Sequence, residues 1–276
     1  MRPILRYPGA KWQIAPWIVS HLPKSTHFVE PYFGSGAVFF NLDWAPTHVV
    51  LNDLSGDVVN LFRVIRERGA ELAALIEMTP WAREEYEASY VPCEDAMERA
   101  RRFMVRSWQS HGSMQRSGPA SWAFSENPPG NDGIGGYTHR AHPWLRMPDS
   151  IRAATARLCA APSEIEHRPA IDIIKRYCST EILIYADPPY PSSTRSGALY
   201  QHEMTDADHL ALLDALDAHP GPVVLSGYGC ALYDDRLPHW HRVTKQTQAE
   251  KGQTRTEVLW LNDAARPRTL FNMEDH

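Results

Sequence analysis

Asp187-Pro188-Pro189-Tyr190 sets a carboxylate, a backbone carbonyl and an aromatic ring side by side in the chain. That set suits a flat heterocycle carrying an exocyclic amine, since the oxygens accept the amine's hydrogens while the aromatic stacks on the ring. The preceding residues 181–186, Glu-Ile-Leu-Ile-Tyr-Ala, have the apolar, β-branched composition of a buried strand. The tetrapeptide therefore falls where a strand gives way to a loop, the rim at which open α/β sheets bind ligands. Two successive prolines supply no ladder donors, so they end the strand and stiffen the loop.

A second cluster lies near the start of the chain. Residues 26–30 form another short strand pattern that runs into Pro31-Tyr32-Phe33-Gly34-Ser35-Gly36. Strand, glycine turn and helix in that order let backbone approach a nucleotide-like ligand. The third glycine of the full dinucleotide fingerprint is missing, so a pyrophosphate site is not implied. Residues 48–53 read as a further strand ending in Asp53, which lies 19 residues after Gly34. An acid at about 20 residues from such a turn is placed to bond ribose hydroxyls.

With these segments assembled, the chain resembles the Dam-like DNA adenine N6-methyltransferases. The likeness is carried by Arg6-Tyr7-Pro8-Gly9-Ala10-Lys11, by Glu30 through Gly36, by Asn52-Asp53 and by Asp187-Pro188-Pro189-Tyr190, in that order. It implies a Rossmann-like class I methyltransferase sheet, mostly parallel with an antiparallel end. It implies S-adenosylmethionine as methyl donor and, as acceptor, an adenine flipped out of double-stranded DNA. Cofactor contacts would be Tyr7, Lys11, Tyr32, Gly34, Gly36, Asp53 and Asp187. The acceptor site would be Asp187, the carbonyl of Pro188, and Tyr190 as a stacking platform. Tyr7 stands where the family commonly has Trp.

Asp rather than Ser before Pro-Pro-Tyr favours adenine over cytosine N4, which the same geometry could serve. A glutamine amide or an RNA base would favour Asn-Pro-Pro-Tyr, which is absent. A DNA-binding relative without catalysis is the alternative from another class. Relatives that read GATC carry an Asn-Arg and Asn-Gly rich hairpin. Here residues 105–112 and 115–118 read Val-Arg-Ser-Trp-Gln-Ser-His-Gly and Gln-Arg-Ser-Gly, so GATC is not carried over. The resemblance also implies a prokaryotic or phage-encoded, cytoplasmic enzyme of DNA methylation or restriction–modification.

Composition bounds the rest. With 276 residues, 43% hydrophobic and 22% charged, the chain reads as an ordinary globular protein. Cysteines 93, 159, 178 and 230 form no Cys-x-x-Cys pair and are expected as reduced thiols, mostly buried. The thirteen histidines show no metal-ligand spacing, and no apolar stretch has membrane-spanning length. The expectation is a monomer with no metal and no membrane partner.

Net charge is −5, which by itself argues against a nucleic-acid partner. From Arg99 to Arg157, however, nine arginines face three acids, a balance of +6 that leaves −11 for the remainder. This arginine-rich stretch lies within residues 69–161, which show helical patterns, a Gly/Pro-rich loop and little strand signal. The expected organisation is a catalytic domain of residues 1–68 plus 162–276 and an inserted, mainly helical recognition domain of residues 69–161. Arg101, Arg102, Arg106, Arg116 and Arg140 are the expected DNA contacts. Beyond the insertion, Thr205-Asp206-Ala207-Asp208 reads as a capping box opening a helix whose Leu210, Leu213 and Leu216 face one way. Residues 222–226 read as a strand, and residues 241–247 and 256–261 as a closing antiparallel pair.

Overall fold

A computed structural model of the chain describes residues 1–7, 9–110, 122, 142–194, 202–248 and 254–266. Among these residues the strands are β1 (His27–Glu30), β2 (His48–Asn52), β3 (Ser163–Glu166), β4 (Ile182–Ala186), β5 (Val223–Tyr228), β6 (His241–Gln248) and β7 (Thr254–Leu261). The helices used below are α1 (Ala15–Val19), α2 (Gly56–Glu77), α3 (Arg83–Ala88), α4 (Ala96–Gln109), α5 (Met147–Cys159), α6 (Ala170–Arg176), α7 (Asp206–Asp217) and α8 (Ala231–Arg236).

The strands form one sheet in the order β3-β2-β1-β4-β5-β7-β6. β1 to β5 are mutually parallel, while β7 runs antiparallel between β5 and β6. This is the Rossmann-like sheet with an antiparallel end that the sequence predicts.

The apolar runs follow from burial on both faces. Successive strand residues enter opposite cores, as the two-residue period requires. Phe28, Val49, Leu51, Leu183, Tyr185, Val224 and Leu259 join one cluster with α2, α4 and α5. Val29, Val50, Ile184, Ala186, Leu225 and Trp260 join the other, under α6, α7 and α8.

Helix starts obey local chemistry. The Thr205 hydroxyl accepts from Asp208 N at 3.2 Å and the Asp208 carboxylate accepts from Thr205 N at 2.8 Å, completing the capping box of α7. The expected face of α7 needs correction, because Leu210 is 41% exposed. The buried stripe is His209, Leu212, Leu213 and Leu216, the i, i+3, i+4, i+7 set. Asp95 caps α4 by accepting from Glu98 N at 2.8 Å.

The boundary expected at residue 68 falls inside α2, at Arg68, whose φ of −139° and ψ of 33° kink the helix. Beyond the kink, α4 and α5 pack back on α2, and Met104, Trp108, Ile151 and Leu158 share a cluster with Phe28 and Phe62. Trp108 and Trp144 are buried and donate to the carbonyls of Ile4 and Thr79, at 2.7 and 2.8 Å. The cysteines also depart from expectation: Cys159 and Cys178 are exposed, and Cys93 and Cys230 are half-buried. None of the four occupies a strand, where the two cores would have covered it. No helix among the described residues is long and apolar enough to cross a membrane.

Candidate active site

The sheet's order reverses between β1 and β4, and ligands of open α/β sheets bind at the carboxyl ends of the strands flanking such a point. A cavity of about 380 Å³ opens there. Its wall includes Tyr7, Lys11, Tyr32, Gly34, Asp53 and Asp187, so the structure brings these expected cofactor residues together. Gly36 does not line it. That residue shapes the turn instead, with φ of 68° and no room for a Cβ, which would lie 2.6 Å from the Phe33 and Phe40 rings.

Asp53 fastens the turn to β2. One carboxylate oxygen accepts from Gly34 N and the other from Ser55 N, both at 2.8 Å. Each oxygen keeps a further lone pair for a ligand hydroxyl. Burial raises the Asp53 pKa, and those two backbone donors partly offset it. The adjacent Asn52, 1% exposed, ties three loops together. Its amide donates to the carbonyls of Pro31 and Arg168, and its oxygen accepts from Arg168 N.

Asp187 follows the last residue of β4. Ser226 of β5 donates to its Oδ1 at 2.8 Å, and Lys11 Nζ lies 3.1 Å from its Oδ2. Both oxygens are thus fixed, and each retains a lone pair that can accept from an amine. Ser226 also meets the buried Tyr185 hydroxyl at 3.0 Å. Lys11 arrives from the segment before α1, donating to Gly9 O at 2.7 Å and standing 4.6 Å from the centre of the Tyr190 ring.

Tyr190 is 4% exposed. Tyr228 packs against its ring at 71° with centroids 4.5 Å apart, and its hydroxyl donates to Glu257 Oε1 at 2.5 Å. A base can therefore stack on this ring only after one of its covers moves aside. Of residues 191–201, the stretch after Tyr190 expected from the sequence to be a catalytic loop, 195–201 lie outside the described residues.

Three acids or hydroxyls of this site were not among the expected residues: Ser226, Glu257 and Glu30. Glu30 ends β1 on the cavity wall, is 2% exposed, and has one carboxylate oxygen without a hydrogen-bond partner among the described residues. Burial, and next the neighbouring Asp187, push its pKa well above the ordinary carboxylate value. An acid closing an otherwise apolar strand was the available signal for Glu30. Ser226 and Glu257 arrive through strand pairing alone and carry no local signature.

Of the expected DNA-contacting arginines, the three that the structure describes are engaged in ion pairs. Arg101, with 11% of its side chain exposed, pairs with Glu98 at 2.7 Å and Glu85 at 2.5 Å. Arg102 bonds Glu98 and the Val91 carbonyl, at 2.7 and 2.6 Å. Arg106 bonds the Ser89 carbonyl, pairs with Asp57 at 3.2 Å, and packs over Tyr90 and Phe103. These guanidinium groups brace α3 and α4 against α2, with acids outside the window that gave the +6 balance. Arg116 and Arg140 lie outside the described residues.

A doubly wound sheet with β7 inserted antiparallel, a glycine turn after β1 and a fixed carboxylate after β4 are the features of a Rossmann-like methyltransferase fold. Residues 7–118 match the family model for D12 class N6 adenine-specific DNA methyltransferases. The DNA adenine methylase of Salmonella typhi is 24% identical over 277 residues, covering 93% of this chain and 92% of that relative. The type II methyltransferase M1.LlaDCHI of Lactococcus lactis subsp. cremoris is 36% identical over 77 residues, 28% of this chain and 26% of that protein. The DNA adenine methylase of Escherichia coli K12 is 34% identical over 70 residues, 25% of this chain and 24% of its own. Over residues 7–118 the chain is thus similar to the D12 class of N6 adenine-specific DNA methyltransferases, and over nearly its whole length to a DNA adenine methylase.

Proposed function

We propose that this protein transfers a methyl group from S-adenosylmethionine to the N6 amine of an adenine turned out of double-stranded DNA. The observation that carries the reading is the Asp187 carboxylate, held at both oxygens by Lys11 and Ser226 on the wall of the cavity at the switch point.

The residues present fit the donor. Asp53 keeps free lone pairs for the ribose, Tyr7 and Tyr32 supply aromatic surface, and the unpartnered oxygen of Glu30 suits a cationic group. When bound, S-adenosylmethionine supplies an electrophilic methyl carried on a sulfonium. The chain's own contribution is alignment and electrostatics. Asp187 and the Pro188 carbonyl accept the hydrogens of N6, which draws its lone pair out of conjugation with the ring. Tyr190 holds the base by stacking, a contact worth about 1–3 kcal/mol in comparable cases. Proton loss from N6 after transfer is directed to the Asp187 carboxylate or to water.

DNA would lie along residues 69–161 and the N-terminal segment beside it. That segment is laid on α4, through Ile4 O to Trp108 and Arg6 N to Ser107, and carries exposed Arg2 and Arg6 toward Tyr7 at the cavity. Arg2, His142 and Arg146 line a shallow cleft at its far end.

The test is methyl transfer from labelled S-adenosylmethionine into duplex DNA, followed by digestion to nucleosides. Label in N6-methyladenine is expected. Label in N4-methylcytosine, or none, would overturn the proposal.

A further inference from the structure

Glu257 is 4% exposed in β7, immediately before the apolar run Val258 to Leu261. It pairs in register with Tyr228 at the carboxyl end of β5, which brings its carboxylate to the rim occupied by the loop after β4. There Oε1 accepts from the Tyr190 hydroxyl at 2.5 Å and lies 3.5 Å from Lys11 Nζ. The same Lys11 is 3.1 Å from Asp187. Glu257 therefore touches both the proposed stacking ring and the cation that orients the proposed amine acceptor, while lying behind them.

A buried carboxylate is a poor way to stabilise a strand. Replacing a buried ion pair with apolar groups of similar volume is often neutral or stabilising. Burial raises the Glu257 pKa, and Lys11 is the main group opposing that rise. Fold stability alone gives no reason for an acid at this position, whereas its two partners do. A tyrosine ring held at its hydroxyl has the far end of its axis fixed, and an ammonium held between two carboxylates cannot collapse onto one of them.

We propose that Glu257 is a positioning residue for methyl transfer, holding the Tyr190 ring and the Lys11 ammonium where the acceptor amine needs them. This rests on the N6-methylation reading above. The contribution is to the aligned state rather than to ground-state binding, so it should appear in kcat more than in KM.

The experiment compares wild type, Glu257→Met, Tyr190→Phe and the double variant in methyl transfer to duplex DNA, with melting temperatures measured alongside. Wild type must first place label in N6-methyladenine; failure there removes the parent reading and this role with it. Given that activity, Glu257→Met should melt at or above the wild-type temperature, yet turn over about tenfold or more slowly with KM for donor and DNA little changed. Tyr190→Phe should slow wild type but add nothing in the Glu257→Met background, where the hydroxyl has lost its acceptor. Wild-type kcat in folded Glu257→Met would overturn the proposal, as would an equal effect of Tyr190→Phe in both backgrounds. Should Glu257→Met fail to fold, Glu257→Gln keeps shape and acceptor while removing only the charge opposite Lys11, and wild-type turnover in that variant would be equally fatal.

Discussion

Two carboxylates of the site differ in what surrounds them, and that difference predicts their behaviour. Asp187 is held by a hydroxyl and an ammonium. Asp187→Ala should leave a folded protein whose methyl transfer falls by about 10²-fold or more, the range for losing a preorganised electrostatic contact. Near-normal turnover of that variant in the labelled-donor assay would contradict the role given to Asp187. Glu30 is buried beside Asp187, and its pKa is raised. A carboxyl whose folded pKa exceeds its unfolded value contributes stability below the unfolded value, about 4.3, and loses it as pH rises through the folded value. Without ligand, the wild-type melting temperature should therefore decline as pH rises above the ordinary carboxylate range. Glu30→Gln, neutral throughout, should flatten the curve and melt higher than wild type at pH 8. Asp53 and Glu257 shift the same way, so some slope will remain. Superimposable melting curves from pH 5 to 8 would exclude Glu30 as the source. At this scale the sequence was readable where chemistry is local, as in Asp187 through Tyr190. Ser226 and Glu257, 39 and 67 residues from the groups they hold, were not, because only strand register brings them in.

The elements were legible to the degree that a local period or cap defines them. β4 is found at residues 182–186 because both faces of the sheet are covered and its apolar run is unbroken. The α7 capping box was visible as Thr205 and Asp208, yet its buried face was misjudged by starting the stripe at Leu210 instead of His209. The geometry of α2 was legible only in part: Gly69, next to Arg68, marks a weak point in the helix, but its close approach to Thr155 of α5 depends on tertiary packing. Gly36 tests the turn that joins β1 to the cavity. With φ of 68° and two phenylalanine rings 2.6 Å from any added Cβ, Gly36→Ala has no relaxed conformation. It should cost about 1–3 kcal/mol and weaken donor binding, since the Asp53-to-Gly34 bond sits on the same turn. Calorimetry and thermal melting would both have to be unchanged to refute this. On α4, Glu98 is held down to a pKa of about 2, chiefly by its bond with Arg101. That pair contributes stability present above the ordinary carboxylate value and lost as pH falls toward 2, the opposite sense to Glu30.

Across the whole molecule, charge is arranged by pairing rather than by position in the chain. The +6 stretch from Arg99 to Arg157 is real as a count. Its core arginines nonetheless meet acids that precede it in the chain, Asp57, Glu85 and Glu98. A window of sequence cannot see such neutralisation, so arginine density overstates the net charge of α4. Arg2 and Arg146 differ: both are exposed, and both border the cleft beside the N-terminal segment that leads to the cavity. If duplex DNA runs along that path, each neutralises phosphate and releases counterions, and log affinity falls linearly with log salt at about −0.9 per contact. Arg2→Glu and Arg146→Glu should each weaken binding to all sequences alike and reduce the salt slope by about one unit. Their melting temperatures and donor affinity should match wild type, because neither side chain reaches a core or the cavity. Arg101→Ala should show the reverse, a lower melting temperature from the loss of its bonds to Glu98 and Glu85, with the salt slope unchanged. Fluorescence anisotropy with a labelled duplex at several salt concentrations reads all three variants at once. A slope that dropped for Arg101→Ala and held for Arg2→Glu and Arg146→Glu would move the DNA off the N-terminal segment and onto α4.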